Sequence, residues 1–366
     1  MARPRVLVIT PDFPPARGGI QVLSHRVVSG LRQCEPLVVA LGTPDAAEFD
    51  AGQPFRIHRS PQPAVRALAI SALNADAVKV AARWRPDVVL STHIIAGPAA
   101  AFIRRWLGVP FVQYLHAKEI GARPRLARFA VTRAERVIAV SRYTFDLARG
   151  VGAPKGRLRR INPGVDLPAV PPAAGERGAP PTVLTVARLE DRYKGHDVMM
   201  RAMPLVRAKL RDAQWIVIGD GPLRSILESQ SVGVGLNGAV RFLGSVDDDV
   251  RDEWLRKAHV FAMVSRLPAG GFAGEGFGIV YLEANAHGLP VVAGGVGGAT
   301  DAVVDQQTGL LVDPTDHVAV AQALISLLTD PGRARALGEN GAARAQNFAW
   351  PRVAERVEEV LLEVLR

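Results

Sequence analysis

Cysteine is almost absent: Cys34 stands alone in 366 residues. One thiol cannot build an intrachain disulfide framework or a cysteine-based zinc site. It opens the strand-like stretch Cys34-Glu35-Pro36-Leu37-Val38-Val39-Ala40. Packing and not reactivity is expected there, because a reactive thiol needs an open, electropositive setting. Aromatic residues make up only 6%, and no zinc-finger, helix-turn-helix or aromatic RNA-platform pattern occurs, so nucleic acid is not expected as a partner. No uncharged apolar stretch reaches the ~18 residues that a membrane span requires. The opening Met1-Ala2-Arg3-Pro4-Arg5-Val6-Leu7-Val8-Ile9-Thr10 reads as a first strand, with an apolar run too short for a signal peptide and no small-residue cleavage site. An intracellular protein without a spanning segment is therefore expected. Also missing is a Gly-x-Gly-x-x-Gly fingerprint after a strand, which argues against a dinucleotide-dependent oxidoreductase.

What is present is a chain that is 48% hydrophobic and long enough for two domains. Short apolar runs alternate with helix-length amphipathic ones throughout. Strands are predicted at 5–9, 36–41, 87–91, 111–114 and 136–140, and again at 182–186, 214–218, 240–243, 260–263 and 290–293. Continuous apolar strands separated by helices imply parallel sheets covered on both faces. Between the two sets, residues 167–181 hold five prolines and two glycines, a composition for an exposed linker. The expected architecture is α/β, with an N-terminal Rossmann-like domain over 1–166, the linker 167–181 and a C-terminal Rossmann-like domain over 182–349. The last stretch, 350–366, carries Val353, Val357, Val360, Leu361 and Val364 at helical spacing. It is read as a helix able to pack on either domain, the N-terminal one included.

The net charge of +10 favours anionic partners: nucleotide phosphates, an anionic membrane surface or nucleic acid. Residues 101–136 hold eight Lys/Arg against Glu119 and Glu135. A solvated basic face explains them, as does a surface lying on an anionic bilayer, since Arg104-Arg105-Trp106 and Arg123-Pro124-Arg125-Leu126-Ala127-Arg128-Phe129 mix charge with apolar residues.

Three elements carry chemistry. Gly18 and Gly19 follow the first strand and open a helix, where backbone N–H groups meet a phosphate; an ordinary Gly-Gly turn explains the pair equally well. Arg188 stands just past the first strand of the second half and Lys194 near the next helix start. Ligands of doubly wound sheets bind at this edge, and a guanidinium with an ammonium suits a diphosphate leaving group. The third is Gly274-Glu275-Gly276-Phe277-Gly278-Ile279-Val280-Tyr281-Leu282-Glu283-Ala284. One carboxylate falls in a Gly-rich turn and the other two turns into a helix. Glu275 is placed to accept hydrogen bonds from sugar hydroxyls and Glu283 from a ribose, with the N–H groups near Ile279 and Val280 left for phosphate.

In this order and spacing the chain resembles the retaining glycosyltransferases of family 4, which have the GT-B fold, two Rossmann-like domains facing across a deep cleft. Gly271-Phe272-Ala273 with the run from Gly274 to Ala284, Tyr114-Leu115-His116-Ala117-Lys118-Glu119 and Ser141-Arg142-Tyr143-Thr144 look most like the actinobacterial mannosyltransferases acting on phosphatidylinositol mannosides. The resemblance implies that Gly18 and Gly19 border the phosphates or the acceptor. It gives Arg188 and Lys194 the diphosphate, Glu275 the sugar hydroxyls, Glu283 the ribose, and the segment Gly276, Phe277, Gly278, Ile279 and Val280 the phosphates. It puts His116 beside the transferred sugar. The Arg-x5-Lys spacing has one residue more than in those mannosyltransferases, though other members share it.

The resemblance further implies front-face displacement with retention, metal independence and domain closure. No cofactor is expected beyond the nucleotide-sugar donor, GDP-mannose ahead of a UDP-sugar. The run Asp247-Asp248-Asp249 is read as capping the helix it precedes and not as a metal site. The acceptor is a hydroxyl, with a lipid-linked molecule at the inner membrane face, a polyol, a phosphorylated soluble molecule and a natural-product aglycone all left open. A nucleotide-sugar epimerase on the same fold is a further alternative.

Overall fold

The computed structural model describes residues 3–169, 178, 180–268 and 274–366. Most of the proline-rich stretch, at 170–177 and 179, and the motif residues Gly271, Phe272 and Ala273 lie outside the described residues. The chain divides into two compact units, Met1–Gly164 with Trp350–Arg366, and Val165–Ala349.

The first unit is built on a seven-stranded sheet of β1 (Arg5–Thr10), β2 (Glu35–Leu41), β3 (Arg56–Ser60), β4 (Val88–Ser91), β5 (Phe111–Leu115), β6 (Arg136–Ala139) and β7 (Leu158–Arg160). Their order is β3-β2-β1-β4-β5-β6-β7, and every pairing is parallel. The second unit carries β8 (Thr182–Val186), β9 (Gln214–Ile218), β10 (Val240–Gly244), β11 (Val260–Met263), β12 (Val291–Gly294) and β13 (Gly309–Val312). Their order is β10-β9-β8-β11-β12-β13, again parallel throughout. In both sheets the chain winds one way from the first strand and then returns to start on its other side. That reversal opens a crevice at the carboxyl ends of the two adjoining strands, β1 and β4 in one unit, β8 and β11 in the other.

The central strands are apolar on both faces because helices cover both: Val6, Leu7, Val8 and Ile9 are fully buried, as are Val260, Phe261 and Ala262. Three strands add to those predicted. β3 and β7 are sheet edges with alternating or mixed exposure, so neither shows the apolar run that marks a central strand. β13 is an edge of only four residues.

The C-terminal helix Trp350–Glu363 belongs to the first unit. Its face of Val353, Ala354, Val357, Val360 and Leu361 is buried. It packs on the helix Gly19–Gly30, so tightly that a Cβ on Gly30 would lie 2.3 Å from that of Ala354. The buried Glu358 carboxylate accepts hydrogen bonds from the backbone N–H groups of Gln33 (2.7 Å) and Cys34 (3.0 Å). Burial, with Glu358 beside it, pushes the Cys34 thiol up to about 12, so this cysteine is an inert packing residue.

Candidate active site

In the second unit the residues after β8 and those after β11 meet at the crevice edge. The Lys194 ammonium forms an ion pair with a carboxylate oxygen of Glu275, 81 residues on, and both side chains are about 15% exposed (15% and 14%). Lys194 also stands over the Tyr193 ring at 5.2 Å. Burial alone would lower the lysine's pKa, but the charge of Glu275 and its hydrogen bond more than offset it, and the net shift is upward. Lys194 is therefore a fixed cation at any physiological pH. Burial pushes the neighbouring Tyr193 phenol up to about 12. Around this pair the backbone is pinned: Arg266 N–H donates to the Tyr193 carbonyl at 2.8 Å, and the Arg266 guanidinium forks onto Asp197 at 2.8 and 3.0 Å.

Arg188 follows β8 but does not join the pair. Its side chain is 61% exposed and reaches Glu190 at 3.3 Å. The guanidinium thus rests at the surface beside a half-exposed carboxylate.

Glu275 precedes the turn Gly276-Phe277-Gly278, and the helix Ile279–Ala286 starts directly after it. Gly278 has φ +87° and a Cβ there would lie 2.4 Å from the Tyr281 ring, so both backbone and space require glycine. Phe277 is buried, and the Tyr281 hydroxyl donates to the Met263 carbonyl at 2.7 Å, tying the helix to β11. The helix has no capping side chain and no acid in its first turn, which leaves the positive end with Ile279 and Val280 suited to an anion. Glu283 is the fifth residue of this helix, hence about one turn in and not two. Burial raises its pKa, against the pull of Arg251, and Asp252, Asp166 and Asp248 add to the rise. It lies in a different electrostatic neighbourhood from the Lys194–Glu275 pair.

Asp247 occupies the N-cap position of the helix Asp248–Lys257 without a side-chain cap bond, with Asp248 and Asp249 in the first turn. Favourable charge at the helix end accounts for the run, and the side-chain cap read from sequence is not formed. Asp248 instead accepts from Arg251 at 3.0 Å.

In the first unit, Gly18 with φ +153° precedes the helix Gly19–Gly30, which likewise has no side-chain cap and no acid in its first turn. His116 follows β5 and caps the short helix Ala117–Ala122. Its Nε2 lies 3.1 Å from the Thr92 carbonyl, which can only accept, so the proton sits on Nε2. Burial lowers the ring's pKa despite Glu119, making His116 a neutral imidazole stacked on Tyr114.

Sequence reasoning gave no role to the group beside it. Buried Glu119 accepts from the backbone N–H groups of Ile94 and His116, both at 2.9 Å, and its Oε2 lies 2.9 Å from His93 Nδ1. The signal was available: His116-x-x-Glu119 has the spacing of a capping box.

With these parts in place, the chain can be set against known proteins. A family model described as Glycosyltransferase Family 4 matches residues 17–168, and one described as Glycosyl transferases group 1 matches 180–330. A GDP-mannose-dependent alpha-(1-6)-phosphatidylinositol monomannoside mannosyltransferase of Mycolicibacterium smegmatis is 34% identical over 97% of this chain and 98% of that one. The chain belongs to glycosyltransferase family 4. A D-inositol 3-phosphate glycosyltransferase of Salinispora tropica is 32% identical, covering 80% of this glycosyltransferase and 67% of the relative. Among solved structures, a sucrose-phosphate synthase from Thermosynechococcus elongatus has a TM-score of 0.84 at 23% identity and covers 99% of both chains. An Anabaena protein crystallised with UDP-glucose has a TM-score of 0.79 at 21% identity, over 98% of this chain and 99% of that one. At such identities these likenesses speak to the fold, which is GT-B. The enzyme is a hexosyltransferase with two Rossmann-like units, and no helix among its described residues is long and apolar enough to cross a membrane.

Proposed function

We propose that this glycosyltransferase moves mannose from GDP-mannose to a hydroxyl of an inositol-containing lipid acceptor, with retention and without a metal ion. The observation that carries the donor half is the buried Lys194 ammonium held by Glu275 at the crevice of the second sheet. The relatives' named donor and acceptor supply the identity of the substrates.

In this reading Lys194 and Arg188 exchange their carboxylate partners for the donor's diphosphate. Released from the lysine, Glu275 accepts hydrogen bonds from mannose hydroxyls, Glu283 holds the ribose, and the bare helix end at Ile279 and Val280 meets phosphate oxygens. Gly18 and Gly19 border the acceptor, and the neutral His116 lies beside the transferred sugar. The bond between the anomeric carbon and the leaving phosphate breaks with its electrons going to the diphosphate. The acceptor oxygen bonds to the same face of that carbon, and its proton passes to the departing phosphate. Fixed positive charge on the leaving group lowers this barrier, which is the work a bridging metal would otherwise do.

For the acceptor, the helices Gly97–Leu107 and Pro124–Arg133 of the first unit offer an anionic-membrane face. Phe102 and Trp106 are 51% and 62% exposed and form a ring pair at 5.8 Å. Beside them Arg104, Arg105 and Arg133 line an open cavity of about 450 Å³. Apolar rings flanked by arginines suit the interface of an anionic bilayer.

The test is calorimetric titration with GDP and UDP in EDTA, followed by a transfer assay with GDP-mannose and phosphatidylinositol monomannoside. Selective GDP binding and an α-linked product are expected. Preference for UDP would overturn the donor assignment, and full loss of activity in EDTA restored by magnesium would overturn the metal-free mechanism.

A further inference from the structure

The crevice of the first sheet holds a second histidine that the mechanism above does not use. His93 lies two residues past the carboxyl end of β4, and β4 adjoins β1 at the point where the winding reverses. Its Nδ1 lies 2.9 Å from Glu119 Oε2 and accepts a hydrogen bond from the Ile95 backbone N–H at 3.1 Å. The Ile95 N–H calls for a lone pair on Nδ1, which puts the ring proton on Nε2, while the Glu119 carboxylate at 2.9 Å favours a second proton on Nδ1 as substrate arrives. The other ring nitrogen, Nε2, has no hydrogen-bond partner among the described residues. The side chain as a whole is 15% exposed, so the ring is not sealed from an arriving ligand. Glu119, meanwhile, ties the loop after β4 to the loop after β5, because it bonds Ile94 N–H in one and His116 N–H in the other.

We propose that His93 is a substrate-contacting residue whose Nε2–H meets a phosphate oxygen, and that Glu119 is the positioning residue that holds both His93 and His116 for the reaction. This rests on the glycosyltransfer reading and adds a phosphate-binding donor at the crevice of the first sheet. The phosphate oxygen comes from the donor diphosphate or from a phosphoester of the acceptor. A buried carboxylate facing a partly exposed imidazole favours the charged form of the ring where substrate arrives.

The groups that face His93 support this. Burial lowers its pKa, but the charge of Glu119 and its hydrogen bond, with Asp12 after β1, outweigh burial and Arg123, for a net rise above 6.5. His116, packed on the same carboxylate, moves the other way because burial dominates there. One carboxylate thus faces two imidazoles whose pKa values move in opposite directions. The sign follows: contact between phosphate and the His93 cation is full below the ordinary imidazole value and is lost as pH rises through the elevated one.

The experiment uses full-length protein with ring-labelled histidine, the His93 resonance being assigned from His93→Gln, with His93→Asn as a second variant should the first fold poorly. Inorganic phosphate, GDP and inositol 1-phosphate are titrated separately, with myo-inositol as the uncharged control. The His93 signal is expected to titrate above 6.5 and to move with GDP or with inositol 1-phosphate, which identifies the donor or the acceptor as the source. His93→Gln is expected to raise the KM of that same substrate about tenfold, the scale of one hydrogen bond to a charged group. Glu119→Gln is expected to shift both the His93 and His116 signals and to move the alkaline limb of the pH profile to lower pH. A His93 signal that no phosphate probe moves, or a His93→Gln enzyme with both KM values unchanged, overturns the proposal. Since the resonance needs no turnover, a protein that prefers UDP over GDP would fail the mannosyltransfer reading and leave this result standing.

Discussion

The two cations proposed for the diphosphate differ in how the fold holds them, and that difference is measurable. Lys194 is buried in an ion pair, so removing it leaves the Glu275 carboxylate uncompensated, whereas Arg188 is mostly solvent-exposed. Breaking one side of a buried pair destabilises strongly, while exposed substitutions stay within about 0.5 kcal/mol. Lys194→Met should therefore lower the melting temperature, and Lys194→Met with Glu275→Gln should recover much of it. Arg188→Ala should melt like the parent. All three should lose turnover by about 10²-fold or more, by analogy with removal of a preorganised transition-state donor. Near-parent turnover in folded Arg188→Ala would remove that residue from the clamp. At Cys34 the expectation is chemical silence: a thiol reagent should find no reactive group in the native protein at neutral pH and one after denaturation, since burial holds the thiol protonated.

At the scale of elements, the turn bearing Glu275 depends on a neighbouring helix. Gly298 N–H donates to the Glu275 carbonyl at 2.8 Å, and a Cβ on Gly298 would lie 2.1 Å from the Gly276 carbonyl oxygen. Gly298→Ala must push this turn away from the helix that starts at Ala299. GDP affinity should fall with it, and titration calorimetry beside a thermal melt separates loss of the site from loss of the fold. In the first unit, the helix Gly97–Leu107 is the counterpart on the acceptor side. Replacing its exposed Phe102 and Trp106 together by serine should leave stability nearly unchanged. It should reduce co-sedimentation with anionic liposomes at low salt, and equal pelleting of both proteins would count against the membrane face.

For the molecule as a whole, the chain's last helix completes the unit that its first strand begins. Glu358→Ala leaves the Gln33 and Cys34 N–H groups without their acceptor in a buried setting, at a cost of about 1–3 kcal/mol each at most. Its melting transition should drop by several degrees, read by circular dichroism, while GDP affinity should change little, since Arg188, Lys194 and Glu275 belong to the other unit.

Local pattern was enough for much of this architecture. Apolar runs of four to six residues fixed the central strands of both sheets, since a strand covered on both faces needs an uninterrupted apolar sequence. Glycine at 278, arginine and lysine after β8, and carboxylates eight residues apart marked the elements proposed for the donor, because backbone approach and charge leave a trace in residue type. Edge strands β3, β7 and β13 left none, being short or half-polar. Nor does pattern along one segment say which distant groups touch. That Lys194 closes on Glu275 while Arg188 turns to Glu190, that Glu119 serves His93 and two backbone N–H groups, and that residues 350–366 pack on Gly30 were decided only by the tertiary structure. Lys194 with Glu275, Glu119 with His93, and residues 350–366 with Gly30 join segments far apart in the chain, and burial and pairing of charge select them only once the sheets have formed.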